Sequence, residues 1–262
     1  MTAALEGLPD TTGVRGPRRR LFYSLRWLGR WVIRRRYRVV LHEVQHVAAR
    51  GPLILCSNHI GVLDGPLLAI FAPRPAHALT KDDVFRGLLG RFLLAAGQIP
   101  VYRRGADPAA IKAAVKVLRG GGVAAVYPEG QRGPGDYRRY QHGAAYLAMV
   151  TGAPVVPVVM LGSREAGGHR SSVPPRGARI DIVFGPPYRT DQVPWPRRRE
   201  QVDRVAGLLK EHLLAHLEAA KALTGRELPG PLPGPAAATL PVPGTQTERG
   251  TSAPTATDQG AS

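Results

Sequence analysis

GPLILCSNHIGVLDGPLLAIF, residues 51–71, is the stretch on which the architecture turns. Residues 52–57 are an apolar run that reads as a strand, Asn58 and His59 end it, and Asp64 begins a helix over 64–72. Outward from this unit the same alternation repeats. Short β-branched runs predict further strands near 37–41, 76–80, 98–102, 122–127, 154–160 and 179–184. Helical patterns fall near 86–96, 107–119, 142–151 and 197–222. Such alternation predicts a single α/β domain with a central, mostly parallel or mixed sheet flanked by helices. Strand order is not readable from one sequence. Gly120-Gly121-Gly122 precedes a strand, so it reads as a helix-to-strand turn and not as a phosphate-binding loop.

At 262 residues the chain has room for one sizeable domain with appendages at its ends. Residues 1–16 are small, polar and Gly/Pro-bearing, and residues 226–262 are rich in Pro, Gly, Ala and Thr; both are expected to be disordered. The domain proper is placed at 37–225. A net charge of +17 predicts attraction to polyanions without choosing among nucleic acid, anionic lipid and phosphorylated substrates. The single cysteine, Cys56, excludes an internal disulfide and a cysteine metal cluster, and it reads as a small buried core residue. No apolar run of about 18 residues predicts a membrane span, and no secretory leader is expected.

Residues 17–36 form a second distinctive segment. Nine arginines and no carboxylate lie between Arg18 and Arg38. Leu21, Leu25, Leu28 and Val32 recur at helical spacing, with Arg19, Arg26 and Arg30 on the opposite face and Trp27 and Trp31 on the flanks. This composition predicts a basic amphipathic helix lying in a lipid headgroup layer. An ordinary core-packing helix with a solvated basic face is the plain alternative, and a nucleic-acid arm a weaker third.

His59 and Asp64 are the first candidates for chemistry. A loop entering a helix can fold the carboxylate back onto the imidazole, fixing its tautomer and stabilising the imidazolium formed when the other nitrogen takes a proton. Taken alone the pair reads rather as a helix cap beside a merely hydrogen-bonded histidine. Three further segments change the weighing: AAGQIPVYRR at 95–104 with Arg103, YPEGQRGPGDY at 127–137 with Glu129, Gly130 and Arg132, and GAPVVPVVM at 152–160 with Pro157.

Together with NHIGVLD, and in the same order, these resemble the four motif blocks of the 1-acyl-glycerol-3-phosphate acyltransferase family over roughly residues 50–190. The resemblance implies that His59 is the general base, that Asp64 orients it, and that Arg103, Glu129 and Arg132 shape a glycerophosphate site. Lys81 stands where the family carries a phosphate-binding lysine, and Asn58 and Gly130 are placed among the substrate contacts. Tyr127 and Gln131 depart from the family's usual Phe-Pro-Glu-Gly-Thr-Arg, and Gln131 puts the acceptor's identity in question.

The implied reaction moves a fatty acyl group from an acyl thioester, on coenzyme A or acyl carrier protein, to lysophosphatidic acid. Glycerol-3-phosphate, a lyso-glycolipid or another lysophospholipid is the alternative acceptor, and a non-catalytic basic membrane binder the alternative class. A thioester is already activated, so one base suffices and no cofactor or metal is expected. The expected partners are an anionic membrane surface, the lysophospholipid and the donor, with no nucleic acid, at the cytoplasmic face of the cell membrane. His212 and His216 have metal-compatible spacing but no third ligand, and read as part of an amphipathic helix.

Overall fold

The computed structural model describes residues 9–14, 20–102 and 107–233. Helices and strands follow one another as α1 (Arg20–Arg36), β1 (Arg38–His42), β2 (Leu53–Ser57), α2 (Asp64–Phe71), β3 (Ala76–Lys81), α3 (Gly87–Ala95) and β4 (Ile99–Val101). The second half adds α4 (Pro108–Arg119), β5 (Val123–Val126), α5 (Gly143–Thr151), β6 (Val155–Leu161), β7 (Arg179–Phe184) and α6 (Arg199–Thr224). Each strand and helix expected within residues 37–225 is present, with ends shifted by two residues at most, and the helix expected over 17–36 is described from Arg20.

The seven strands make one mixed sheet in the order β1-β7-β6-β2-β5-β3-β4. β6 and β7 run antiparallel, and the other neighbours run parallel. Central strands are covered on both faces, which is why β2 and β6 are apolar without alternation and buried along their whole length. One face packs on α4, α5 and α6 through residues such as Ile54, Val126, Val115, Leu147 and Leu213. The other packs on α2, with α1 against its edge, through Leu55, Val158, Leu68, Phe71 and Ile33.

Pro157 is tolerated inside a central strand because of where it falls. Its ring replaces an N–H at the point where the ladder to β7 begins, with Val158 opposite Phe184, and its carbonyl still accepts from Gly185 N at 2.9 Å.

Because β2 to β6 all point the same way, their carboxyl ends lie along one edge, and the loops that follow them gather there. That edge receives His59 from β2, Lys81 from β3, Glu129 from β5 and Ser163 from β6.

Two sequence expectations are corrected by the packing. Residues 226–230 are not part of a loose tail: Leu228 packs on the core, Arg226 donates to the Arg179 carbonyl at 3.0 Å, and the Gly230 carbonyl accepts from Arg164 at 2.8 Å. Likewise residues 9–14 lie along α4, where Arg119 donates to Thr11 Oγ1 at 2.9 Å and Lys116 to the Val14 carbonyl. Residues 1–8, 15, 16 and 234–262 of the expected disordered ends lie outside the described residues.

The orientation of α1 also differs from the expectation. Arg26 and Arg30 do not face outward; both donate to the carbonyls of Ile70 and Ala72 at the end of α2. Those carbonyls have no partner within their own helix, so the two guanidiniums supply what the helix end lacks. Burial first, and then the neighbouring Arg30 charge, push the Arg26 guanidinium down to about 10. The face left exposed is aromatic and aliphatic: Trp27 is 69% and Trp31 53% accessible, beside exposed Leu25, Leu28 and Val32. Arg19 and the side chain of Leu21 lie outside the described residues.

Candidate active site

The loop after β2 is built to hold one imidazole. Asn58, the residue that follows the strand, is fully buried and behaves as an extra peptide unit: its Nδ2 donates to the Met160 carbonyl at 3.1 Å and its Oδ1 accepts from Met160 N at 2.8 Å. The β2–β6 ladder is thereby extended one residue past the strand end. Asn58 was expected to touch substrate; its amide is instead spent on the backbone, and its role is to fix where His59 begins.

His59 Nδ1 lies 2.9 Å from Asp64 Oδ2. The same oxygen accepts from Ile60 N at 2.7 Å and Gly61 N at 2.8 Å, so the loop wraps round the carboxylate that starts α2. A carboxylate can only accept, so the ring proton sits on Nδ1 and Nε2 is left with its lone pair. The other carboxylate oxygen, Oδ1, accepts from Ser163 Oγ at 2.5 Å. Asp64 is fully buried with four donors around it, the arrangement that makes a buried charge tolerable.

The loop after β5 closes on the same histidine. Tyr127 stacks on His59 with ring centroids 4.3 Å apart and planes inclined by 29°. Glu129 Oε1 accepts from His59 N at 3.0 Å, and the His59 carbonyl accepts from Gly133 N at 2.8 Å. Glu129 is 4% exposed, and that burial pushes its carboxyl up to about 8, with the nearby Asp136 and Asp64 charges adding to the rise against the His59 and Gly135 amides. Gly135 is required to be glycine: its φ is +84°, and a Cβ would lie 2.3 Å from Ile60 Cγ2 and 3.0 Å from Asn58 Nδ2.

Arg164 joins these loops from below. Its guanidinium is 2% exposed and donates to the carbonyls of Ile60 at 2.8 Å, Gly133 at 3.1 Å, Gly168 at 2.8 Å and Gly230 at 2.8 Å. One side chain thus ties the loop of His59, the loop of Glu129, its own loop and the segment after α6. Nothing in the sequence reading singled out Ser163 or Arg164. Like Arg103 and Arg132, Arg164 lies shortly after a predicted strand, and that position is the signal that could have found it.

The remaining expected site residues are less closely gathered. Arg132 donates to the Arg170 carbonyl at 3.1 Å, Gly130 takes a left-handed conformation with φ +69° in the turn after Tyr127, and Lys81 pairs with Asp83 at the end of β3. Arg103 lies outside the described residues. A cleft of about 1170 Å³ opens between α4 and α5 and ends against Tyr127, Glu129 and Gly130. Its walls are largely apolar, with Leu79, Val101, Ile111, Val126, Tyr146 and Val202 among them. His59 is not itself among the lining residues; it meets the cleft through the Tyr127 ring and the Glu129 carboxyl.

Cys56 is fully buried, and burial raises its thiol far above the ordinary range, as expected of a core residue. His212 and His216 each direct a ring nitrogen to a backbone carbonyl, of Pro186 at 2.8 Å and Val183 at 3.1 Å. Among the described residues no group of three or more His, Cys, Asp or Glu side chains is placed to hold a metal ion.

Comparison with known proteins agrees with this geometry. Residues 38–161, from β1 to the end of β6, match the acyltransferase family model. Its relatives include a 1-acyl-sn-glycerol-3-phosphate acyltransferase of Bacillus subtilis, 27% identical over 47% of this chain and 63% of the relative. A protein of the same name from Borreliella burgdorferi is 30% identical over 47% of this chain and 51% of the relative. The match therefore spans less than two thirds of either relative. Among solved structures, the 1-acyl-sn-glycerophosphate (LPA) acyltransferase PlsC from Thermotoga maritima shares the fold, with a TM-score of 0.56 at 19% identity over 76% of this chain and 80% of that one.

Proposed function

We propose that the protein transfers a fatty acyl group from an acyl thioester to the free sn-2 hydroxyl of lysophosphatidic acid, giving phosphatidic acid for phospholipid synthesis. The observation that carries this reading is the His59–Asp64 pair at 2.9 Å, set at the loop edge of the sheet beside a large, mainly apolar cleft. His59 Nε2 takes the proton of the acceptor hydroxyl as that oxygen attacks the thioester carbonyl. Asp64 stabilises the imidazolium so formed. Collapse of the tetrahedral species expels the thiolate, which takes the proton back from the imidazolium. The balance closes without a cofactor. Arg132, with Arg103 and Lys81, is assigned to the acceptor phosphate, for which a guanidinium fork and an ammonium are well suited.

The exposed Trp27–Trp31 face of α1 supports peripheral or monotopic binding at the cytoplasmic face of the membrane, where a lysolipid can enter sideways. No helix among the described residues is long and apolar enough to cross a membrane. The donor, coenzyme A or acyl carrier protein, is drawn by the basic surface of a chain with net charge +17. One observation favours a second reading, acylation of another acceptor such as glycerol-3-phosphate or a lyso-glycolipid: Gln131, the departure from the family motif, lines the cleft.

Purified protein and its His59→Ala variant, given acyl-CoA and acyl carrier protein separately against these acceptors, test the proposal. Transfer to lysophosphatidic acid that falls by about 10²–10⁴-fold in the variant is expected. Transfer only to a different acceptor replaces the substrate with the second reading, and no transfer to any acceptor overturns both.

A further inference from the structure

We propose that Ser163, the second residue after β6, is the positioning residue of the His59–Asp64 base, acting through Asp64 alone. The inference rests on the acyltransfer reading for its kinetic consequence, but not for its geometry. Asp64 Oδ2 is occupied three times, by His59 Nδ1, Ile60 N and Gly61 N, all from its own loop. Those contacts fix one oxygen of the carboxylate, and fix it only to residues of the loop itself. Among the described residues Ser163 Oγ is the one donor to Oδ1, and it comes from the loop after β6, 99 residues along the chain. It therefore locks the carboxylate plane, and with it the direction of the imidazole.

The placement of Ser163 is itself over-determined. It is fully buried, and its carbonyl approaches the loop so closely that a Cβ on Gly61 would lie 2.8 Å from it. The next residue, Arg164, is fastened to the Ile60 carbonyl at 2.8 Å, so the serine and the histidine loop move as one body. The serine hydroxyl is fully buried with Asp64 and makes its hydrogen bond there. A buried hydroxyl on a catalytic carboxylate costs desolvation unless the bond is kept, and here the bond is kept at the atom the base does not use.

The other charged and titratable groups facing the pair are Glu129 and Tyr127 from the loop after β5, and Arg164. None of them donates to Asp64 Oδ1. Removing the serine donor leaves more negative charge on Asp64, so His59 should hold its proton to higher pH.

The test follows the His59 imidazole proton by NMR titration in the full chain and in Ser163→Ala, Asp64→Asn and the double variant, with kcat and KM measured alongside. The expected result for Ser163→Ala is a titration midpoint raised by roughly half a pH unit or more. In kinetics, kcat should fall about tenfold with KM changed less than about twofold. In the Asp64→Asn background the same substitution should change both readouts little. Should Ser163→Ala fail to fold, Ser163→Cys, which keeps a weak donor, carries the same measurements with an intermediate shift expected. An unmoved His59 midpoint, or an equal effect with and without the Asp64 carboxylate, overturns the proposal. The titration needs no substrate, so an absence of acyl transfer would count against the proposed function and leave this result standing.

Discussion

The two ends of α2 meet opposite needs, and their contrast organises the molecule. At its amino end Asp64 is fully buried, held by four donors and joined to His59. At its carboxyl end the carbonyls of Ile70 and Ala72 are met by Arg26 and Arg30 from α1. Negative charge at the amino end and positive charge at the carboxyl end is the arrangement the helix dipole favours. The difference is one of purpose. The first end orders a proton acceptor; the second fastens a helix whose outer face is Trp27, Trp31 and Val32. The eight residues of α2 separate the candidate base from the helix end to which α1 is fastened.

The largest effect that would sharpen this contrast concerns pH at the amino end. Glu129 has a folded-state carboxyl raised to about 8 from an ordinary 4.5, so the native protein binds a proton there that the unfolded chain releases. Stability from this group is complete below about 4.5 and is lost as pH rises through about 8. The slope is on the order of 1.4 kcal/mol per pH unit within that window. Glu129→Gln keeps an acceptor for His59 N but has no proton to lose. Denaturation midpoints from pH 5 to 9 should therefore fall less steeply in the variant, and parallel curves would show that the carboxyl is not held protonated.

A smaller effect should come from the carboxyl end. Arg26→Ala with Arg30→Ala removes the charged donors to two helix-end carbonyls and should cost about 1–3 kcal/mol in chemical denaturation. Transfer to a short-chain, water-soluble acceptor should change less than about threefold, because Asp64 keeps its partners. A loss of kcat as large as that from a substitution at His59 would erase the distinction between the two ends. Smallest in energy is the outer face of α1. Trp27→Ala with Trp31→Ala should weaken co-sedimentation with anionic vesicles about tenfold, with thermal stability unchanged. Equal binding by the variant would remove this face from the lipid contact.

Much of the fold is legible in the sequence because the sheet is covered on both sides. A buried parallel strand must be apolar throughout, so LILCS and VVPVVML stand out against their polar loops. Strand order is not, since it depends on pairings such as Arg38 with Arg179 that no local pattern records. The same limit applies to α1. Helical spacing separates Arg26 and Arg30 from the leucine stripe, but which face turns inward is settled by the carbonyl acceptors at the end of α2, 40 and 44 residues away. At the site, His59 and Asp64 are five residues apart and were found together. Ser163 was not, because its reason for being there is an oxygen atom 99 residues earlier. Asn58 was identified but misassigned: an asparagine beside a histidine resembles a substrate contact, and its use as a substitute peptide unit becomes visible only with Met160 alongside it.

The four carbonyls on Arg164 also set an order in time. Ile60 and Gly133 are synthesised before the arginine and Gly168 just after it, but Gly230 lies 66 residues further on. At roughly 5–20 residues per second, the ribosome needs several seconds more to deliver that last acceptor. Throughout that interval the nascent chain carries a guanidinium destined for burial with one of its partners not yet made. The edge that bears His59 is thus completed only once residue 230 has been made, and a growing chain is held short of competence until then.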